Sequence, residues 1–372
     1  MAINNKSKKT SEPAQDLSRR RGILTENIRC AISKYGYIEL DLPLYEHYDL
    51  LKETAFNFSE ENVISFIDRN TGKTLVLRPD FTPQVCRAVT GYMSDYPLPL
   101  RISYKGIVFR SGHNTEKYQI GWELFGGSEL CGDIEMILIS TSVLKSINLN
   151  GYSFVVGDAM FLQRLLSLTG DLAQPLKVAI SGKKLHDIKE LVENSSIDEK
   201  IKKLLYVLPL SFGSRDVIEE LKKVSSFDEI LLSRVEYIEE LFNNLIKLGI
   251  DENVLVFDGA ETKGLDYYTG VNFDIVHKNS GSSLGSGGRY DNLMLKFGKN
   301  ISACGMALHI EELMEFDLCG DNGQIFDYLV VGWDNLNKAE ELRKTGNSVF
   351  FVANLDNIEK YKKVYNFKNI IN

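Results

Sequence analysis

Two long strand-like segments joined by a short polar turn constrain the fold of this 372-residue chain more than any other feature. The segments are "LRISYKGIVFR" at 100–110 and "YQIGWELFGG" at 118–127, and their β-branched and aromatic content predicts a β-hairpin. Gln119 and Glu123 lie four residues apart and therefore share one face of the second strand, while Arg110 ends the first strand. A hairpin that carries charge inward indicates a binding site on that face.

The rest of the chain is strand-rich except for one long helical stretch. Amphipathic helices occupy the segment from about 160 to 250. We therefore predict an α+β core over 16–320, built on an antiparallel sheet flanked by helices and interrupted by a helical insertion. The polar residues 1–15 predict a disordered N-terminal tail, and 325–372 predicts a small β-α-β-α unit.

The overall composition excludes several classes of protein. The formal net charge is −8, which disfavours a surface for a long polyanion. The five cysteines and five histidines are scattered and form no metal-binding motif, so neither a metal nor another cofactor is expected. The N-terminus has no apolar signal region, and no apolar run approaches the roughly 20 residues of a membrane span. A cytoplasmic protein without membrane contact is predicted.

Four segments resemble the core of the histidyl-tRNA synthetase family, in the same order as in that family and together with the hairpin. The four are "GYIELDLPLYEHYDLL" (36–51), "LRPDFTPQVCRAV" (77–89), "GLDYYTGVNFDI" (264–275) and "GSGGRYDNLM" (285–294). The resemblance spans roughly residues 15–320. It implies a class II aminoacyl-tRNA synthetase-like fold that dimerises through the first segment. Such cores carry a helical insertion where this chain turns helical.

The resemblance also implies a pocket for histidine. In the family, an acidic residue and a threonine bind the α-amino group, and polar hairpin residues and tyrosines complete the pocket. The corresponding positions are Asp80, Thr82, Arg110, Gln119, Glu123, Tyr267, Tyr268 and Tyr290, with Lys263 where the family has an arginine. Carboxylates suit the ammonium and ring N–H of L-histidine, and aromatic walls exclude water.

Each pocket residue also has a purely structural interpretation. Asp80 or Glu123 alone could be a buried, hydrogen-bonded carboxylate. Tyr267 and Tyr268 alternate along a predicted strand, so one could belong to the core while the other reaches a ligand. The joint pattern, rather than any single residue, favours the pocket.

The chain departs from the family at the positions that bind ATP. The hairpin turn "SGHNTEKY" is shorter than in active synthetases and has Lys117 as its permanent cation. Glu312 stands where the family has an arginine on the ATP phosphates, and His309 replaces a glycine under the adenine. A carboxylate beside a triphosphate repels it, so a degenerate ATP site is predicted. Phe81 replaces a glycine in the loop that binds the α-amino group in the family, and it is expected to narrow or reshape the pocket.

A synthetase core without ATP and tRNA functions resembles the regulatory subunits of ATP phosphoribosyltransferase, which are paralogues of the synthetases. That resemblance implies a non-catalytic chain that activates a short catalytic phosphoribosyltransferase and helps transmit histidine feedback, as a homodimer within a hetero-octamer. The residues after Gln324 resemble only the first half of an anticodon-binding domain, which argues against tRNA. The alternatives are a divergent histidyl-tRNA synthetase or another ATP-dependent histidine-activating enzyme, and a stand-alone amino-acid- or RNA-binding adaptor.

Overall fold

Two units of different architecture make up the chain in a computed structural model, Met1–Leu318 and Cys319–Asn372. The structure describes residues 14–55, 59–112, 115–193, 195–316, 318, 325–353 and 358–372. The predicted tail at 1–15 lies outside the described residues, apart from Ala14 and Gln15, which begin the first helix. Within those ranges, no helix combines the length and apolar character that crossing a membrane would require.

The first unit combines short and long strands with helices of four to twenty residues. Its strands are β1 (Ile38–Glu39), β2 (Tyr45–His47), β3 (Ser65–Ile67), β4 (Thr74–Leu77), β5 (Leu100–Phe109), β6 (Glu116–Phe125), β7 (Tyr152–Asp158), β8 (Phe212–Gly213), β9 (Leu255–Asp258), β10 (Val271–His277), β11 (Gly285–Arg289) and β12 (Ala303–His309). Its helices are α1 (Ala14–Ser33), α2 (Tyr48–Thr54), α3 (Thr82–Thr90), α4 (Glu129–Ser146), α5 (Ala159–Ser167), α6 (Ala173–Ser181), α7 (Leu185–Glu193), α8 (Glu199–Val207), α9 (Arg215–Ser225), α10 (Glu229–Lys247), α11 (Asp291–Lys296) and α12 (Ile310–Leu313).

A nine-stranded sheet forms the centre of this unit, in the order β1-β5-β6-β12-β11-β10-β7-β9-β8. Within this sheet, each of the consecutive neighbours β5, β6, β12, β11, β10 and β7 pairs antiparallel with the next. The predicted fold class is therefore confirmed, with one refinement: β1 and β9 join the antiparallel strands in parallel. The predicted hairpin is β5–β6, and its pairing runs from Leu100 opposite Phe125 to Phe109 opposite Glu116.

The helical insertion comprises α5 to α10 and lies between β7 and β9 in the chain. Buried side chains recur every three or four positions along α10: Leu231, Val235, Ile238, Leu241, Phe242 and Leu245. Asp228 caps this helix, since its carboxylate accepts hydrogen bonds from two backbone N–H groups of the first turn. Arg234 donates to the buried Asp158 at the end of β7, at 2.6 Å, and so ties the insertion to the central sheet.

The second unit is a three-stranded parallel sheet with two helices. Its elements are β13 (Ile325–Val331), α13 (Leu336–Lys344), β14 (Val349–Val352), α14 (Ile358–Val364) and β15 (Asn366–Ile371). The strand order β14-β13-β15 places β13 in the centre. The sequence predicted β-α-β-α, and the structure adds β15. This strand lies at an edge with mostly exposed side chains, so it lacks the apolar alternation that identifies a strand in the sequence.

Candidate functional site

A cavity of about 260 Å³ on the central sheet brings all nine predicted pocket residues together. Its lining includes Asp80, Thr82, Arg110, Gln119, Glu123, Lys263, Tyr267, Tyr268 and Tyr290. His309 also lines it, whereas Lys117 and Glu312 do not. The structure thus shows the convergence that the separate sequence segments could only suggest.

The sheet and the start of one helix position the polar side chains. Gln119 and Glu123 project from the same face of β6, as the spacing predicted, and both are largely buried. Asp80 precedes α3, and its carboxylate accepts a hydrogen bond from the backbone N–H of Thr82 at 3.2 Å. This local turn fixes Asp80 and Thr82 on one side of the cavity, facing β6.

Glu123 is the most buried charged group of the cavity, with 1% of its surface exposed. Its Oε1 accepts hydrogen bonds from the hydroxyl groups of Thr82 at 3.0 Å and Tyr104 at 3.1 Å. Its Oε2 accepts a hydrogen bond from the Tyr290 hydroxyl at 2.5 Å. Three hydroxyl donors therefore hold this carboxyl group in one orientation.

Burial raises the pKa of Glu123 from its ordinary value of 4.5 to about 8. Desolvation of the charged form is the largest cause, and the nearby charge of Asp80 acts in the same direction. The hydrogen bonds from Tyr290, Thr82 and Tyr104 favour the charged form and lower the pKa in part. A cationic or N–H donor placed against this group would replace lost solvation and favour its ionised form.

The raised pKa of Glu123 predicts a pH-dependent stability. A carboxyl group whose pKa is higher in the folded state stabilises the fold below pH 4.5, and this contribution is lost as the pH rises through about 8. Between about pH 5 and 8, the unfolding free energy of the ligand-free protein should therefore fall relative to that of the Glu123→Gln variant. The decrease should reach up to about 1.4 kcal/mol per pH unit. Urea denaturation of both proteins at several pH values measures this difference, and parallel pH profiles would contradict it.

Tyr267 and Tyr268 lie in a turn, not on the strand that the sequence predicted. The strand β10 begins only at Val271. Both tyrosines line the cavity, as the predicted pocket requires, although they do so from a turn and not from a strand. The Tyr267 ring lies 5.3 Å from that of Tyr268 and 5.6 Å from that of Tyr290, and the three rings form an aromatic wall.

Comparison with known proteins identifies the family. The profile described as "Histidyl-tRNA synthetase" matches residues 12–313. An ATP phosphoribosyltransferase regulatory subunit from Ruminiclostridium cellulolyticum is 32% identical over 299 residues, covering 78% of this chain and 71% of the relative. The chain belongs to the ATP phosphoribosyltransferase regulatory subunit family, within the histidyl-tRNA synthetase-like proteins. A second such subunit, from Clostridium acetobutylicum, is 31% identical over 356 residues, covering 91% and 87% of the two chains.

A solved structure supports the same fold over the full length. An ATP phosphoribosyltransferase regulatory subunit/histidyl-tRNA synthetase from Bacillus halodurans superposes with a TM-score of 0.85 at 24% sequence identity, covering 100% of this chain and 99% of that one. The class II synthetase-like architecture of the regulatory subunit family is therefore present here.

Two of the positions that the sequence predicts for a degenerate ATP site, Lys117 and Glu312, contact each other. Lys117 on β6 forms an ion pair with Glu312 on α12, with Nζ 3.1 Å from Oε1. The neighbouring Glu311 accepts a hydrogen bond from the backbone N–H of Tyr118 at 3.0 Å. Two carboxylates of α12 thus bind the strand that follows the hairpin turn, and Glu312 neutralises Lys117.

His309 occupies a position at the end of β12, directly opposite Gln119 in the sheet. Its Nδ1 lies 3.1 Å from the carbonyl oxygen of Ser283. Burial lowers the pKa of His309, which favours the neutral imidazole. The side chain therefore fills part of the cavity as an uncharged ring.

Lys263 and Arg110 carry the positive charges of the lining. Lys263 Nζ contacts the carboxylate of Asp274 at 2.6 and 2.9 Å, so its charge is already paired within the lining. Arg110 is exposed and has no ion pair within the part of the chain that the structure describes. Arg110 is therefore the cation of this site that remains available to a carboxylate.

Ten of the twenty lining residues were not among the predicted site positions, and they include Tyr104, Asn272, Asp274 and Gly305. Only the strand register assigns Tyr104 and Gly305 to the site, because Tyr104 lies opposite Gly121 across the hairpin and Gly305 lies opposite Glu123. Phe81 does not line the cavity. Its ring stacks on that of Tyr104 at 4.3 Å, so it supports a wall from behind instead of narrowing the pocket directly.

Metal ligation is not indicated at this site. Across the described ranges, no group of three or more His, Cys, Asp or Glu side chains is placed to hold a metal ion. The cavity offers hydrogen-bond acceptors, one exposed guanidinium group and aromatic rings, a combination that suits a small polar organic ligand.

Proposed function

We propose that the chain binds L-histidine in the 260 Å³ cavity and serves as a non-catalytic regulatory subunit of ATP phosphoribosyltransferase, in the first step of histidine biosynthesis. The observation that carries the proposal is the arrangement around Glu123. Three protein hydroxyls orient its buried carboxyl group, while Lys117, the cation predicted for the ATP site, is paired with Glu312. The amino-acid pocket is intact, and the phosphate-binding charges are not.

The chemistry of the lining matches each part of histidine. Glu123 can accept a hydrogen bond from a ring N–H, and Asp80 with Gln119 can serve the α-ammonium group. Arg110 can pair with the α-carboxylate through its planar guanidinium group. The wall of Tyr267, Tyr268 and Tyr290 excludes water from the ring. A cavity of about 260 Å³ is large enough for an amino acid of this size.

The charges beside the cavity oppose activation by ATP. A triphosphate at the end of the hairpin would meet the carboxylates of Glu311 and Glu312, and Lys117 is already paired. Repulsion between like charges amounts to several kcal/mol in a shielded site, about 4 kcal/mol at 4 Å for an intermediate effective dielectric. This charge arrangement supports a binding role over the alternative of a divergent histidine-activating enzyme, and the overall charge of −8 disfavours tRNA as a substrate.

The proposed assembly is a homodimer that joins a short catalytic phosphoribosyltransferase in a hetero-octamer. Large apolar side chains are exposed on and near the first motif segment: Ile38, Leu44, Tyr45, Phe66 and Ile67, with exposed fractions from 42% to 68%. Burial of such side chains against a second copy would remove them from water, at about 25 cal/mol per Å² of apolar area. This surface supports dimerisation through that segment.

The proposed function predicts two opposite results in one set of assays. Addition of the chain to the purified short catalytic subunit encoded in the same genome should raise phosphoribosyl transfer at least tenfold, and histidine should inhibit the complex. The chain alone, with histidine, ATP and Mg²⁺, should show no ATP–pyrophosphate exchange above a protein-free blank. Robust exchange would establish the activating-enzyme alternative, and absence of both activation and complex formation would favour a stand-alone binding protein.

A further inference from the structure

A second and larger cavity, of about 610 Å³, lies between the helical insertion and the central sheet. Its lining includes residues of α6, the loop after β9, α11 and the end of α2. Lys263 and Tyr267 line both this cavity and the smaller one, so the segment that carries them forms a shared wall. Of the nine residues proposed to bind histidine, only Lys263 and Tyr267 line the larger cavity.

Lysines from separate parts of the chain converge on the larger cavity. Among the described lining residues there are four, Lys177, Lys183, Lys263 and Lys296, against three carboxylates, Asp258, Glu261 and Asp266. The lining itself carries one ammonium group more than carboxylates, and Asp274 outside it balances Lys263. The concentration of four lysines on one cavity contrasts with the formal net charge of −8 of the whole chain.

The lysines retain donors for a ligand in addition to their present partners. Lys183 Nζ contacts Asp258 Oδ2 at 2.7 Å, and Lys296 Nζ contacts the carbonyl oxygen of Glu53 at 2.6 Å. An ammonium group carries three N–H donors, so each of these two lysines keeps two for another acceptor. An anion could therefore bind without breaking either contact.

The backbone at Lys183 adds a second, independent observation. Lys183 has a φ of 50°, in the left-handed region that non-glycine residues rarely adopt. It follows the end of α6, where this conformation usually belongs to glycine, but the glycine of this chain, Gly182, stands one residue earlier. Lys183 therefore has a backbone conformation that is unfavourable for a lysine, and its side chain lines the cavity.

We propose that the larger cavity binds a phosphorylated small molecule that also carries hydroxyl groups, such as a sugar phosphate. Lys183 and Lys296 would donate to the phosphate oxygens, and the carboxylates of Asp258 and Glu261 would accept hydrogen bonds from the hydroxyls. A volume of about 610 Å³ falls in the range of small-molecule sites, roughly 300–1,000 Å³. The ligand would contact Lys263 and Tyr267 from the side opposite to the histidine cavity.

Calorimetric titration of the full chain with ribose 5-phosphate tests this proposal. The unmodified chain should bind the probe saturably at one site, and Lys183→Gln and Lys296→Gln should each weaken that binding at least tenfold. Both variants remove one ammonium group and keep a polar side chain of similar length. Lys296 is exposed, so its replacement should leave the fold intact, which thermal denaturation verifies.

Lys184→Gln is the matched control, because Lys184 is the next residue and pairs with Asp187 outside the cavity lining. Its affinity for ribose 5-phosphate should equal that of the unmodified chain. Saturating histidine should not displace the probe, since the two ligands occupy different cavities. No saturable binding, an equal loss in the Lys184 variant, or displacement by histidine would each overturn the proposal.

Discussion

Replacement of Glu123 by Gln is expected to weaken histidine binding at least tenfold. The substitution keeps the shape of the side chain but removes the charge and introduces N–H donors opposite the hydroxyls of Thr82, Tyr104 and Tyr290. A hydrogen bond to a charged group contributes about 1.5–3 kcal/mol, which corresponds to roughly 10- to 150-fold in affinity. Calorimetry at about pH 8.5 gives the clearest comparison, because the carboxyl group is then largely ionised even in the empty cavity.

Glu116→Gln provides the control for this measurement. Glu116 begins the same strand, is exposed and lies outside the cavity lining, so the substitution changes the net charge equally without touching the site. Its histidine affinity should match that of the unmodified chain. Unchanged affinity in Glu123→Gln would show that histidine, if it binds at all, binds elsewhere.

A single methyl group at position 305 is expected to destabilise the fold and abolish histidine binding. The Cβ of an alanine there would lie 1.4 Å from Oε2 of Glu123, because residue 305 on β12 pairs directly with residue 123 on β6. Glu123 would have to leave its position and lose its contact with Tyr290. Overpacking of this kind costs about 1–3 kcal/mol or more, measurable by urea denaturation of Gly305→Ala.

A double-mutant cycle separates this clash from general strain in the sheet. Glu123→Ala removes the atoms that the new methyl group would meet, so Gly305→Ala should be tolerated far better in that background. The coupling between the two substitutions should reach about 1–3 kcal/mol in unfolding free energy. Additive effects would mean that the glycine serves close strand packing and not the placement of Glu123.

Strand periodicity predicted the orientation of those site residues that lie on a regular strand. A period of two residues placed Gln119 and Glu123 on one face of β6, and the structure has them there. The same reasoning failed for Tyr267 and Tyr268, because a strand pattern and a compact turn can carry the same apolar residues. Both tyrosines reach the cavity because the turn, instead of the pleat, directs their side chains.

Contacts between distant segments were beyond sequence reasoning. Tyr104 meets Glu123 only through the register of the hairpin, and Gly305 becomes critical only because β12 pairs with β6 in one particular register. The strand β15 was missed for a similar reason, since it pairs in parallel with β13, from which α13, β14 and α14 separate it in the chain, and its side chains are mostly exposed. Such features depend on pairing geometry, which local composition does not encode.

The ion pair between Lys117 and Glu312 disfavours the introduction of a phosphate-binding arginine at position 312 by a single substitution. An arginine introduced at 312 would replace the carboxylate that lies 3.1 Å from the Lys117 ammonium group by a second cation. A variant with this single change would have two adjacent cations and, in the absence of nucleotide, no triphosphate to neutralise them. Each residue of the ion pair therefore constrains the other, because replacing either Lys117 or Glu312 alone leaves the remaining charge without its partner.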